Sequence, residues 1–404
     1  MNQSKPKLWT KDFIIVSSVN FFLTLVFYLL VVTIAVFAVD EYHASTSQAG
    51  LITGIFIIGA LAGRLFTGQA IDHIGRKKTL FLGLIFFTLA TLLYFVNLGI
   101  MFLLLTRLLH GITLGIASTA SGTIVAQIIP ATRKGEGIGY FSMSSTLATA
   151  IGPFIGLYMS QHTSFQMIFS FCLVLGIFSL ITAIFVYVPP MEEVSTAEHS
   201  AVKGFKLSNL IEPRALPIAF VTLGVAFCYS SVLSYINFYA KEVDLVDAAS
   251  FFFIVYALAV LISRPFTGRL MDLKGANIIM YPAFIIFGAG MLLLSTAHSS
   301  LTLLLSGVLI GLGFGNMQSC TQAIAVKLTP PHRMGLATAT FFIFLDAGFG
   351  FGPYVLGFII PVTGYSTLYI ILGVFCLLFT GIYYLLHGKK EKAIQAAIHT
   401  SATL

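Results

Sequence analysis

The chain is short of charge. Only 9% of its 404 residues are Asp, Glu, Lys or Arg, against about 25% in soluble domains. Of its 15 acidic residues, all but Asp346 lie at the ends of apolar runs, between them, or in the tails. With 57% hydrophobic residues and a mean hydropathy of +0.96, this excludes a soluble domain and implies an integral membrane protein. Period-two alternation is missing from the long apolar runs, which excludes a β-barrel. The chain has no Cys-x-x-Cys, no His-Glu-x-x-His and no Gly-x-Ser-x-Gly, so no enzyme, metal or cofactor is expected. Its four cysteines, Cys172, Cys228, Cys320 and Cys376, lie inside apolar runs and read as packing residues. A cleavable leader is not expected either, because the run from Phe13 to Val39 is too long for a signal segment and reads as a span.

What is present is a series of apolar runs, each near the roughly 20 residues a helix needs to cross a bilayer. The fold class is all-α membrane protein, with twelve helices in two pseudo-symmetric six-helix bundles. The helices are expected at 13–39, 48–70, 78–97, 100–128, 137–159, 165–188, 214–239, 247–270, 276–297, 300–327, 335–360 and 365–386. Residues 1–12 form a tail, 13–188 the first bundle, 189–213 a polar linker, 214–386 the second bundle and 387–404 a second tail. The net charge of +7 does not point to nucleic acid, because the cations sit in short loops. Of 22 Lys and Arg residues, 18 fall in the tails, the linker and every second loop, and only Lys241 falls in the opposite loops. This bias places both termini and the linker in the cytoplasm. The remaining three cations, Arg64, Arg107 and Arg264, lie within helices.

The chain repeats itself at an offset of 200 residues. Arg64, Gly68, Asp72 and Gly75 recur as Arg264, Gly268, Asp272 and Gly275. Gly111 and Gly115 recur as Gly311 and Gly315, Arg133 and Gly135 as Arg333 and Gly335, and Gly152-Pro153 as Gly352-Pro353. Parallel repeats of this kind are a known plan of membrane transporters. Three motifs then carry a resemblance: Gly68-x-x-x-Asp72-x-x-Gly75-Arg76-Lys77-Lys78, Leu103-x-x-x-Arg107-x-x-x-Gly111-x-x-x-Gly115, and Ala148-x-x-x-Gly152-Pro153-x-x-Gly156. Together they resemble the major facilitator superfamily over nearly the whole chain. The last resembles the helix 5 motif of twelve-helix drug:proton antiporters, which marks Gly152, Pro153 and Gly156 as an antiporter motif. The resemblance implies a monomeric carrier in a bacterial cell membrane. It would exchange a small drug-like, sugar-like or metallophore-like compound for protons, with the lipid bilayer as its other partner.

The residue chemistry gives each motif a role. Gly68 admits a close helix neighbour and Gly75 a tight turn. Asp72 suits the partial positive charge of a helix N-terminus. Arg76 and Lys77 can meet carboxylates or lipid phosphates. With Arg264, Gly268 and Asp272, these residues make a candidate conformational latch, the bland alternative being a solvated basic turn. Asp346 lies mid-helix, where an acid costs about 2.5–3.5 kcal/mol to insert, and so reads as the coupling acid. The alternative is a structural hydrogen bond. Arg107, whose counterpart is Gly307, and His110 one turn further on complete the proton-coupling candidates. A snorkelling arginine and a packed histidine are their alternatives. The polar residues Asn20, Tyr28, Tyr229, Tyr235, Asn237, Asn316, Gln318 and Gln322 are substrate-cavity candidates, or helix-to-helix glue. A proton-coupled importer of a sugar or other small nutrient is the second reading. A channel, a scramblase or a membrane-embedded enzyme fits the repeat less well.

Overall fold

The computed structural model describes residues 6–44, 46–189 and 210–391. Most of the 189–213 linker and the ends of both tails therefore lie outside the described residues. Within them the chain is helical. The first half holds α1 (Lys11–Tyr42), α2 (Thr46–Ile74), α3 (Arg76–Leu92), α4 (Ile100–Ile128), α5 (Lys134–His162) and α6 (Phe165–Ile184). The second holds α7 (Leu216–Glu242), α8 (Val246–Lys274), α9 (Asn277–Ser295) and α10 (Ser300–Lys327). A last helical run, Met334–Leu386, breaks at Gly364 (φ 73°) into α11 (334–363) and α12 (365–386). Ten described segments are long and apolar enough to cross a membrane, the last of them covering both α11 and α12. The remaining helix, α5, is as long as α4 at 29 residues, but its Ser- and Thr-rich middle makes it more polar.

Helices suit this sequence because each satisfies its own backbone where no water can. Their ends follow local chemistry. Thr10 Oγ1 accepts from Phe13 N–H (3.2 Å) at the start of α1, and Ser299 and Thr302 form a capping box at the start of α10. Large apolar side chains stay on the outside, among them Phe66 at 70% and Phe154 at 68% exposure, as lipid-facing positions should.

Two compact units emerge. One comprises residues 1–130, 147–214 and 328–343, the other 131–146, 215–327 and 344–404. In the first, α2 and α4 meet through glycines on both sides. A Cβ on Gly59 would stand 3.0 Å from Ile112 N, and one on Gly115 would stand 3.1 Å from Arg64 N. Such small residues let helix backbones approach closely. In the second unit Ala259 and Ser263 replace Gly59 and Gly63, and α10 widens into a π turn over Gly311–Gly315. Turns of this kind recur at functional positions.

Candidate functional site

The loop between α2 and α3 is a single residue, Gly75, at φ 95°. The expected helix end at residue 70 is therefore corrected: α2 runs on to Ile74, and Asp72 sits in its last turn. Arg76 opens α3 and is nearly inaccessible, at 5% exposure. Its Nη2 meets Asp72 Oδ1 at 3.0 Å and donates to Pro331 O at 2.6 Å, while Nη1 donates to Gln127 Oε1 at 2.8 Å. Lys77 Nζ donates to Val186 O (2.7 Å) and Ile184 O (3.4 Å), at the carbonyl end of α6. A Cβ on Gly68 would lie 2.7 Å from that of Ala339 on α11. A recess of about 370 Å³ adjoins this set, lined by Asp72, Arg76, Lys77, Lys78, Gln127 and Pro189 among others.

The repeated loop, in the second unit, is wired differently. Asp272 accepts from Gly135 N–H and Glu136 N–H, both at 2.8 Å, in the first turn of α5. This carboxylate occupies the partly positive end of a helix. Lys327 Nζ joins it at 2.7 Å. A Cβ on Gly268 would stand 2.8 Å from Glu136 Cα. Arg264 is fully buried and donates to Gly315 O (2.7 Å) and Gly139 O (3.1 Å). At the start of α9, Glu391 accepts from the backbone N–H groups of Ala276 and Asn277. Burial pushes the Glu391 carboxyl up, against the pull of these two donors.

Arg107 lies on α4 at 0% exposure, in the first unit. Its Nε donates to Ile52 O (3.2 Å), its Nη1 to Tyr94 Oη (3.3 Å), and its guanidinium carbon lies 4.3 Å from the centre of the Phe56 ring. Its Nη2 has no hydrogen-bond partner among the described residues. His110, equally buried, has Nδ1 3.0 Å from Tyr94 Oη and Nε2 3.4 Å from Thr91 Oγ1. Arg107 and His110 thus share one partner.

Asp346 lies on α11 and is partly exposed; it belongs to the second unit, Arg107 to the first. Phe349, one turn on, packs 6.0 Å from both Tyr229 and Phe314, and those two rings stack at 4.1 Å. Tyr235 donates to Pro353 O at 2.6 Å. Asn316 is spent on joining α10 to α8. It donates to Ser263 Oγ (2.9 Å) and accepts from Thr267 Oγ1 (2.8 Å). Gln322 accepts from Ser142 at 3.4 Å, Gln318 is partly exposed and Asn237 is exposed. In the first unit Asn20 is buried and Tyr28 partly exposed. The Gly152-Pro153-x-x-Gly156 segment packs α5 on α1. A Cβ on Gly152 would lie 2.7 Å from Tyr28 Cβ, and one on Gly156 would lie 2.8 Å from Val32. In the second unit Gly348 and Gly352, the counterparts of Ala148 and Gly152, do the same for α11 and α7: a Cβ on Gly348 would lie 2.7 Å from Ala226 Cβ, and one on Gly352 would lie 2.9 Å from Ser230 Cβ.

Several residues that matter to these sites escaped sequence reasoning. Gln127, Lys327, Tyr94 and Thr91 are four of them. A fifth is Glu212, whose buried carboxylate meets Arg333 at 2.5 Å. The offset of 200 carries a signal for the first two. Arg76 and Gln127 correspond to Ala276 and Lys327, so the cation changes position between halves.

The family model described as Major Facilitator Superfamily matches residues 16–246 and 245–402. An uncharacterized MFS-type transporter of Methanocaldococcus jannaschii is 28% identical over 335 residues, 81% of this chain and 85% of the relative. Multidrug resistance protein 2 of Bacillus subtilis is 25% identical over 323 residues, 77% of this chain and 79% of the relative. The crystal structure of the human organic anion transporter TETRAN superposes with a TM-score of 0.72 at 16% identity, covering 94% of this chain and all of that one. That likeness concerns the fold alone.

Proposed function

The chain belongs to the Major Facilitator Superfamily and is a secondary transporter, a multi-pass membrane protein rather than an enzyme, and we propose that it exports a small organic compound in exchange for protons by alternating access. One observation carries the proposal. Among the described residues Asp346 is the single acid placed far from any helix end, in a sequence that otherwise keeps its acids out of the long apolar runs. An acid at that depth needs a partner or a wet surface. Burial raises the proton affinity of a carboxyl in general, and water or a cation lowers it. A group whose surroundings change during the cycle therefore takes up a proton on one side and releases it on the other. The likeness to multidrug resistance protein 2 supports the outward direction and a drug-like compound. The charge bias supports a cell-membrane orientation with both termini cytoplasmic. The paired motifs around Asp72 and Asp272 serve as latches of the cycle, and Arg107 and His110 belong to its proton chemistry.

Direction and coupling are tested together in inside-out vesicles holding the purified protein, with ethidium and a fluoroquinolone as probes. An acid interior should drive uptake of a probe, and collapsing the pH gradient should stop it. Sugar uptake into right-side-out vesicles driven by an acid exterior would support the importer reading instead. Flux that ignores the pH gradient would reject proton coupling.

A further inference from the structure

The surroundings of Arg107 hold more order than packing needs. Arginine only donates, so Tyr94 Oη accepts from Arg107 Nη1. Thr91 Oγ1 donates to Phe87 O at 2.9 Å, which leaves its lone pairs to accept. One assignment then satisfies every remaining group. Tyr94 donates its hydroxyl proton to His110 Nδ1, and His110 Nε2–H donates to Thr91 Oγ1. The reverse tautomer would leave the Tyr94 proton without an acceptor and Nε2 without a donor. The chain therefore has a direction, from Arg107 through Tyr94 and His110 to Thr91 and the carbonyl of Phe87. The Tyr94 ring is itself fixed, stacked on Phe169 at 5.2 Å.

The repeat shows that the fold does not require this set. At the offset of 200, Thr91, Tyr94, Arg107 and His110 correspond to Met291, Leu294, Gly307 and Ile310. Met291, Leu294 and Ile310 are fully buried, and Gly307 is buried with them. Apolar residues thus fill all four places in the second half, while the first half carries four polar residues that bond to one another. Four changes that make sense only together indicate a single device.

We propose that Thr91, Tyr94, Arg107 and His110 act as one directional hydrogen-bond chain, with Tyr94 the positioning residue that aims the membrane-interior cation. Its importance for transport rests on the proton-coupled reading above; its geometry does not. Tyr94 is the hinge of the device because it alone bonds to both Arg107 and His110. Losing its hydroxyl frees Nη1 and leaves His110 Nδ1 without a donor, while the ring and its stack on Phe169 remain.

The test uses the full-length protein in lipid vesicles, uniformly labelled with ¹³C and ¹⁵N. His110 is assigned among the nine histidines by sequential correlation through Gly111 to Ile112, which separates it from His387 in the second Leu-Leu-His-Gly run, where Lys389 follows the glycine. The expected spectrum shows the Nε2–H tautomer with Nδ1 accepting a hydrogen bond. Tyr94→Phe should shift the Nδ1 resonance and lower gradient-driven flux of the transported probe about tenfold, as should Arg107→Gln, at unchanged protein yield. An Nδ1–H tautomer in the unaltered protein, or a His110 spectrum indifferent to Tyr94→Phe, overturns the chain. If Arg107→Gln abolishes gradient-driven flux and Tyr94→Phe does not, the positioning role falls and the coupling reading stands. If neither variant changes flux while the spectrum is as expected, the coupling role of Arg107 falls and the chain remains as architecture.

Discussion

The loops that close α2 and α8 descend from one backbone plan and solve one problem in two ways. Both place an aspartate in the last turn of a helix and a glycine after it, Gly75 at φ 95° and Gly275 at φ 91°. In the first, the counter-charge follows the glycine: Arg76 holds Asp72 and reaches Gln127 and Pro331 O. In the second, residue 276 is alanine, and the counter-charge comes from Lys327 on α10. Asp272 is then free to accept two backbone N–H groups of α5 directly. A charge has moved 51 positions along the repeat while its partner stayed in place. The need conserved between the halves is a neutralised carboxylate at this helix end, whichever residue supplies the cation. The second loop holds its aspartate with an ion pair and two charge-assisted backbone bonds, the first with one arginine.

The comparison can be broken most sharply at the aspartates. Asp272→Asn should cost about 2–3 kcal/mol of unfolding free energy, because its charged hydrogen bonds are worth about 1.5–3 kcal/mol each and only part is kept by the amide. Asp72→Asn should cost about 1 kcal/mol. It should leave a folded protein whose transport cycle is slowed. Denaturant unfolding in one detergent measures both, and equal or reversed costs would contradict the difference drawn here.

The exchanged cation supplies the next test. Lys327→Gln should destabilise by about 1–2 kcal/mol, leaving Asp272 on its backbone donors alone. Adding Ala276→Arg to it rebuilds the arrangement of the first loop and should recover about half of that loss. No recovery would mean that the two loops are not interchangeable solutions. The smallest effect is expected at the shared feature. Gly75→Ala and Gly275→Ala should each cost about 1 kcal/mol, since both residues hold the same positive φ, and a large difference between them would mean that the turns are not equivalent.

Much of the fold was legible in the sequence, and the reason is visible at particular places. The expected spans 100–128 and 300–327 coincide with α4 and α10 because each opens after a capping Gly99 or Ser299 and closes just before Pro130 or Pro330. The sequence places the end of α2 at residue 70, four residues early, because the cluster of Asp72, His73 and Arg76 reads as loop. In the structure Arg76 neutralises Asp72 across one turn and the helix continues to Ile74. The site was less legible, since its bonds cross the chain. Arg107 stands out as a cation in an apolar run, but Ile52, Phe56 and Tyr94 come from other elements, and no local spacing announces them. Glu212 likewise reads as a linker residue, yet its carboxylate meets Arg333. The repeat is the remedy. Positions where the halves disagree in charge, 76 with 276, 107 with 307 and 127 with 327, are where the structure places polar clusters.

Asp346 is a further such position, since its counterpart is Thr146, and the account depends on it most. The decisive measurement compares gradient-driven flux with counterflow for Asp346→Asn in vesicles, using whichever probe the unaltered protein transports. Asparagine mimics the shape of the protonated acid but cannot release a proton. The account predicts that counterflow continues while a pH gradient no longer drives accumulation. Full gradient-driven accumulation by Asp346→Asn would contradict it, and attention would then turn to Asp40 and Glu41 at the far end of α1.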